Sequence, residues 1–397
     1  MEPTAPERLA QGVSVHFRPP AYPRSSAVGM LRLPPRSTRS RARFLTRCGP
    51  ESPDMPIPTD APARDSAGPT GRAPRDPDPD ARLPVFEVAD DREHRVLERW
   101  RRNVGAAVAL DLARPAPEGV RELDLLCWNV AVGAGELDAM LLRLREREIG
   151  CDPARPLVVL AQEVYRSDET VPPHPPEPRH TGGDITPPRP RDVVELAREH
   201  GLSLRYAPSM RNGAARSDRG NAVLSTAALG RAHAFVLLYI NQRRVVVAAE
   251  VEGIPGLTFV CAHLDVARRL GEADAPSRRP GVARAEQAAR LARAVLALDA
   301  PGGVVLAGDF NTPFGEWDPA YRRIVRAGFR PAERSWRWDH THHGFVRLLL
   351  DHVFYHPAGG RIASVRVERL DDHPLDRGAR IFGSDHHPLL ARVVLGG

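Results

Sequence analysis

Gly302-Gly303-Val304-Val305-Leu306-Ala307-Gly308-Asp309-Phe310-Asn311-Thr312-Pro313 is the stretch on which the reading of this chain turns. After the Gly-Gly turn signal, five small apolar residues from Val304 to Gly308 read as a short strand buried on both faces. The strand delivers Asp309 and Asn311 at its carboxyl end. Residues two apart in an extended chain project to the same side, so a carboxylate and a carboxamide are expected to point at one spot. Thr312-Pro313 then ends the strand. An isolated carboxylate at a buried tip is costly to desolvate, so Asp309 is expected to have a partner. The competing reading is an Asx cap on the following turn.

Other stretches repeat the plan. Glu122 to Asn129 is an apolar strand ending in a carboxamide, and Leu157 to Glu163 is one ending in a carboxylate. Gly220-Asn221-Ala222-Val223-Leu224-Ser225 reads as a short strand, and Leu257 to Asp265 as a buried strand with His263 at its tip. Further strands are expected over Ala234–Ile240, Arg244–Val251 and Leu389–Leu395. Arg347 to Tyr355 reads as one strand with Asp351 in its middle, an acid that should have a fixed partner. Helical spacing marks 90–112, 137–148, 193–200, 282–298 and 321–327. The chain has no internal repeats.

The chain has 397 residues, 42% hydrophobic and 27% charged, enough for one large domain or two ordinary ones, with a real core. It contains no lysine, so all 56 basic residues are arginine, and with 40 prolines this reads as codon usage rather than function. No window approaches a membrane span, and the N-terminus lacks a signal pattern, so a cytoplasmic location without membrane insertion is the default expectation. Four cysteines are scattered without metal-type spacing; Cys127 and Cys261 fall in strand-like runs and are expected as buried thiols.

The net charge of +6 is unevenly placed. Residues 1–50 hold nine arginines against Glu2 and Glu7, a surplus of seven, so the other residues together carry −1. A nearly neutral remainder argues against a broad phosphate-gripping face of the kind duplex-binding proteins show. Residues 1–80 contain sixteen prolines and no periodicity and are expected to be a disordered tail. The alternatives there are a nucleic-acid-binding arm and a translation start at Met30 or Met55. Residues 81–120 are expected to be a helical extension packed outside the main domain, and 121–397 that domain. Residues 166–192, with eight prolines, read as a long inserted loop near a strand end, of the length that is often functional or mobile. The run His340-Thr341-His342-His343 reads as a solvent-exposed loop rather than a metal site, for want of fixed geometry. Trp317, Trp336 and Trp338 are expected in packing, with base stacking the alternative.

The strand tips share a chemistry. Asn129, Glu163, His263, Asp309 and Asn311 stand at tips, and a loop presents Asp385-His386. Carboxylate and carboxamide oxygens suit magnesium or manganese better than zinc, and imidazoles beside them supply proton transfer or hydrogen bonds to a charged oxygen. The set fits metal-assisted hydrolysis of a phosphate ester.

In these motifs the sequence resembles the endonuclease/exonuclease/phosphatase superfamily. The matching pieces are Trp128-Asn129, Gln162-Glu163, Gly220 to Ser225, Ala262-His263-Leu264, Gly308 to Asn311, Leu350 to Phe354 and Ser384 to Pro388. The resemblance, from about residue 121 onward, implies a DNase I-like four-layer α/β/β/α sandwich, two mixed sheets face to face with flanking helices. It implies Glu163 as principal ligand of Mg2+ or Mn2+, with Asn129 and Asp385 close by. Asp309 would orient or deprotonate the attacking water, and Asn311 would hold a phosphate oxygen. His386, paired with Asp351, would stabilise the transition state, His263 would be the second imidazole, and Asn221 would contact substrate. Arg284 and Gln287 are expected to be structural. The implied activity is that of a phosphodiesterase or nuclease; the alternatives are a phospholipase, a small-molecule phosphatase, or a non-catalytic binding module on the same fold. A monomer is the default expectation.

Overall fold

The Gly303–Asp309 strand is buried at all seven positions and lies within a seven-stranded mixed sheet. This is seen in a computed structural model, which describes residues 83–88, 93–146, 150–184, 187–266, 280–335, 340–343, 347–370 and 382–396. The expected tail over 1–80, Trp336 and Trp338 lie outside the described residues. The described residues fall within the unit Pro69–Gly397.

In the first sheet the order is Val85–Glu87, Leu229–Val236, Val245–Val251, Leu257–His263, Gly303–Asp309, Asp351–His356 and Arg330–Pro331. In the second, of eight strands, it is Glu333–Arg334, Ile362–Arg369, Leu389–Leu395, Glu122–Asn129, Leu157–Arg166, Asp218–Ser225, Ser203–Arg211 and Val108–Leu110. Alternation along each strand sorts side chains between two layers. Val305 and Ala307 face inward and meet Leu123, Leu125, Val158, Leu160, Val223 and Val393 of the other sheet. Val304 and Leu306 face outward onto the helices Pro280–Leu296 and Pro319–Arg326, against Leu291, Val295 and Ile324. On the opposite side Leu126, Trp128 and Val159 meet the helices Leu137–Arg145 and Val193–His200. These layers are the expected four-layer α/β/β/α sandwich. Among the described residues, no helix is long and apolar enough to cross a membrane.

The parallel pair Leu257–His263 and Gly303–Asp309 puts His263 beside Asp309, and the antiparallel neighbour puts Asp351 on the other side of Asp309. Close approach of the chains requires Gly308, where an added Cβ would lie 1.8 Å from Ala262 O. In the second sheet Asn129 pairs in register with Gln162, next to Glu163. Glu163 occupies a break in register between Ala161 and Val164 and has φ 55°, left-handed backbone in a non-glycine residue.

Several expectations are corrected. The helix expected over 90–112 covers His94–Arg101 alone, because Asn103 leaves the helix to serve the insertion and Val108–Leu110 pairs with Leu204–Tyr206. The extension is not packed outside: Leu97 and Trp100 are buried in the core between the sheets, and each sheet gains an edge strand from this region. The strand expected over 347–355 is broken at Leu349-Leu350, so Asp351 opens a strand rather than sitting in its middle. Strands Ser203–Arg211 and Ile362–Arg369 were not anticipated.

The insertion is anchored rather than loose. Asn103 Nδ2 donates to the Glu177 and His180 carbonyls at 2.7 and 2.8 Å, and its oxygen accepts from Glu177 N at 3.0 Å. Arg216 donates to the Val171 and Glu169 carbonyls at 3.0 and 2.8 Å. The His340–His343 run is not a solvent loop either. His340 and Thr341 are buried, His343 N donates to Asp385 O at 2.7 Å, and His387 N donates to Thr341 O at 2.8 Å.

Candidate active site

The strand tips open into a cleft of about 500 Å³ lined by Asn129, Glu163, His263, Asp309, Asn311, Asp385 and His386. Asp351 stands behind His386 rather than in the lining, its Oδ2 2.8 Å from His386 Nδ1. The partner expected for that acid is therefore present. Asn221 is placed elsewhere: its amide donates to Val245 O at 2.6 Å between the sheets, outside the lining.

Asp309 is nearly fully buried and divides its oxygens. Oδ1 accepts from Asn311 N at 2.8 Å, the Asx-type turn bond weighed from the sequence. Oδ2 accepts from Asn129 Nδ2 at 3.1 Å and lies 3.4 Å from His263 Nε2 and 3.9 Å from His386 Nε2. Both sequence readings of Asp309 thus hold at once. Burial, with the neighbouring Asp351 charge, raises its carboxyl to about 6. Asn311 reaches the cleft by a route other than strand alternation, since its φ of 50° turns the chain and its Nδ2 donates to Leu264 O at 2.9 Å.

The two imidazoles are driven apart. Burial would lower His386, but the Asp351 carboxylate outweighs it and raises the ring to about 10. His263 is pushed well below the usual range by burial and then by Arg244, whose Nη1 lies 3.0 Å from Nε2 and 3.1 Å from Nδ1. The surroundings thus favour the protonated form of His386 and the neutral form of His263. Trp128 Nε1 donates to His386 O at 2.9 Å, and Ser384 Oγ donates to Asn129 O at 2.6 Å while accepting from His386 N at 3.1 Å. These bonds tie the Asp385-His386 loop to the tip of the Glu122–Asn129 strand. Thr341 Oγ1 accepts from Leu350 N and Asp351 N at 3.0 and 2.9 Å, fixing the point where that strand begins.

Glu163 points into the cleft with no hydrogen-bond donor reaching its carboxylate among the described residues; His263 Nε2 is 4.0 Å away. A carboxylate presented without a protein donor, beside the Asn129 carboxamide, is a donor set suited to a hard divalent cation. Asp385 gathers with His342 and His386. It is held down to about 2 by His342, whose Nε2 is 3.6 Å away, against the opposing effect of burial.

Two polar lining residues escaped the sequence reading, Arg244 and His342. Arg244 directly precedes the strand Val245–Val251, apolar but for Glu250, and a cation abutting such a run was the signal available. His342 lies inside a histidine run whose sequence shows no fixed geometry. Pro187 and Pro188 of the insertion also line the cleft, so the insertion does border the site. Arg284 and Gln287 are structural as expected: Arg284 donates to Asp318 at 2.6 Å, and Gln287 bridges Asp265 N and Leu238 O at 2.8 and 2.7 Å. Trp317 departs from the packing expectation, being 77% exposed. Cys127 and Cys261 are buried free thiols.

Two mixed sheets packed face to face, with carboxylates, carboxamides and imidazoles converging at one end, define a DNase I-like α/β sandwich. The chain belongs to the endonuclease/exonuclease/phosphatase family, whose model matches residues 126–386, more than half of its length. That family is one of phosphoesterases. No curated protein matches the sequence. Solved structures similar to this chain include an endonuclease/exonuclease/phosphatase family protein from Leptotrichia buccalis C-1013-b (15% identity, 69% of this chain and 100% of that one, TM-score 0.46). They also include the human Nocturnin catalytic domain (16% identity, 73% and 98%, TM-score 0.44) and sphingomyelinase C from Streptomyces griseocarneus (16% identity, 69% and 99%, TM-score 0.41).

Proposed function

We propose that this protein is a phosphodiesterase that hydrolyses a phosphate ester by in-line attack of water, with Mg2+ or Mn2+ as cofactor. The observation that carries the reading is Asp309 Oδ2, a buried carboxylate oxygen facing one neutral and one cationic imidazole in the same cleft as the unengaged Glu163. Glu163 and Asn129 would hold the cation, with Asp385 nearby. When bound, such an ion stabilises charge on a phosphate oxygen as a Lewis acid. Asp309 Oδ2 accepts the proton of the attacking water, since a carboxyl near 6 is ionised at neutral pH yet still basic. His386, kept protonated by Asp351, donates a hydrogen bond to the oxygen on which charge develops. His263, neutral and braced by Arg244, contacts the phosphate, and the second N–H of Asn311 Nδ2 orients it.

A compact phosphomonoester or lipid headgroup is the second reading. One observation favours it: among the described lining residues Arg244 is the sole arginine, where a long polynucleotide track would call for several cations. The test is hydrolysis of bis-p-nitrophenyl phosphate and p-nitrophenyl phosphate with magnesium, manganese or EDTA, using Glu163→Gln as control. Metal-dependent release from the diester, absent in the control, supports the proposal. Preference for the monoester moves the assignment to a phosphatase, and silence on both substrates favours a binding module.

A further inference from the structure

Behind the cleft the histidines form a second group that the proposed hydrolysis does not use. The side chains of His340–His343 and His386-His387 divide between two faces. His342 and His386 face the cleft, joined by an isolated antiparallel bridge, while His340, His343 and His387 turn away from it and toward one another. Each of the three offers a ring nitrogen, and these atoms all lie within 4.8 Å of one another. The ring centroids are 5.4 Å apart for His340 and His387, 5.9 Å for His343 and His387, and 6.1 Å for His340 and His343. A tetrahedral zinc with nitrogens at about 2.0–2.1 Å places ring centroids about 5.2 Å apart. The observed triangle is slightly wider than that, and rotation of the rings closes the difference.

His387 supplies a second, independent observation. It is 3% exposed, and among the described residues neither ring nitrogen has a hydrogen-bond partner. His343 Nδ1 is likewise buried and without a partner among the described residues. Buried polar atoms left unsatisfied are rare and call for a ligand or water. Arg369 is the nearby cation. Its Nη1 holds His340 O at 2.6 Å, so its longer 3.3 Å approach to His340 Nδ1 can be released without leaving that nitrogen of the guanidinium unbonded.

We propose that His340, His343 and His387 bind a transition-metal ion of the zinc class. Three imidazoles and no carboxylate select a borderline ion over magnesium, so this site is chemically distinct from the hard-oxygen set around Glu163. Three protein ligands leave a fourth position for a small ligand such as water. The ion would staple His340–His343 to His386-His387, and so hold His342 and His386 in register on the opposite face. The proposal does not depend on the phosphodiesterase reading.

The test is zinc content of the full chain, dialysed in excess magnesium, measured for wild type, Glu163→Gln, His340→Gln and His343→Gln, with circular dichroism as the folding control. The expected result is about one zinc per chain in wild type and Glu163→Gln, and less than about a tenth of that in either histidine variant. Zinc-free wild type, zinc lost with Glu163→Gln, or zinc retained by both histidine variants would each overturn the proposal. X-ray absorption at the zinc edge on wild type serves if the variants do not fold. Three imidazole ligands support the site, and any smaller number rejects it.

Discussion

Asp309 shows how much of the site a residue-level reading can reach. Its partner was foreseeable, because a buried carboxylate at a strand tip needs one. The division of labour between Oδ1 and Oδ2 was not, since it depends on a left-handed Asn311 and on Asn129 arriving from the other sheet. Asp309→Asn, which keeps the shape and removes the base, is expected to lower turnover at least ~100-fold with the fold intact. A rate within a few-fold of wild type would remove Asp309 from the chemistry. The pH profile follows from the same environment. Asp309 must be ionised, so kcat/KM falls as pH drops through about 6, and His386 must be protonated, so it falls again as pH rises through about 10. Asp351→Asn takes away the charge that raises His386 and should move the alkaline limb to lower pH, and the acid limb with it, since the same charge helps raise Asp309. Stability has a matching sign. His386 is raised above its unfolded value of about 6.5, so its stabilisation is complete below that pH and is lost as pH rises through about 10. Melting in EDTA from pH 7 to 10 should therefore show the gap between wild type and Asp351→Asn narrowing, and a constant gap would contradict the pairing.

At the scale of elements, the legible strands were those whose apolar runs are uninterrupted, such as Gly303–Asp309 and Leu257–His263. The missed ones carry residues whose burial is paid for by distant partners. Ser203–Arg211 is buried throughout despite Arg205 and Arg211, because their guanidiniums donate to the Leu110, Leu204 and Pro172 carbonyls. Ile362–Arg369 has a register shift between Ile362 and Ser364 that breaks its alternation. The helix over 90–112 was overextended for a similar reason: Val104 and Val108 fit the period, yet Asn103 and the edge strand have tertiary partners that outweigh it. Glu163 is the case with a functional reading. Its bulge and positive φ aim the carboxylate at the cleft, at a backbone cost that glycine would not bear. Glu163→Gly is expected to gain about 1 kcal/mol of stability while abolishing metal-dependent turnover. Chemical denaturation beside a diester assay checks both halves, and a loss of stability would show that the conformation is not strained.

For the molecule as a whole, charge is divided along the chain rather than spread over it. Every residue assigned to the cleft lies between Asn129 and His386, in the unit beginning at Pro69, whereas the +7 surplus sits in residues 1–50. Affinity for a polyanion scales with the cations that displace its counterions, and residues 51–397 sum to −1. Two properties that one substrate could be thought to require, hydrolysis and polyanion affinity, are therefore expected to separate. A chain lacking residues 1–50 should keep kcat/KM on bis-p-nitrophenyl phosphate within about twofold of the full chain. It should also elute from immobilised duplex DNA at markedly lower salt. If the shortened chain instead holds to DNA as the full chain does, the catalytic unit carries its own basic track, and a polynucleotide becomes the better substrate assignment. If binding goes and turnover on the small diester stays, the cleft needs no track, and compact phosphoesters are the class to screen first.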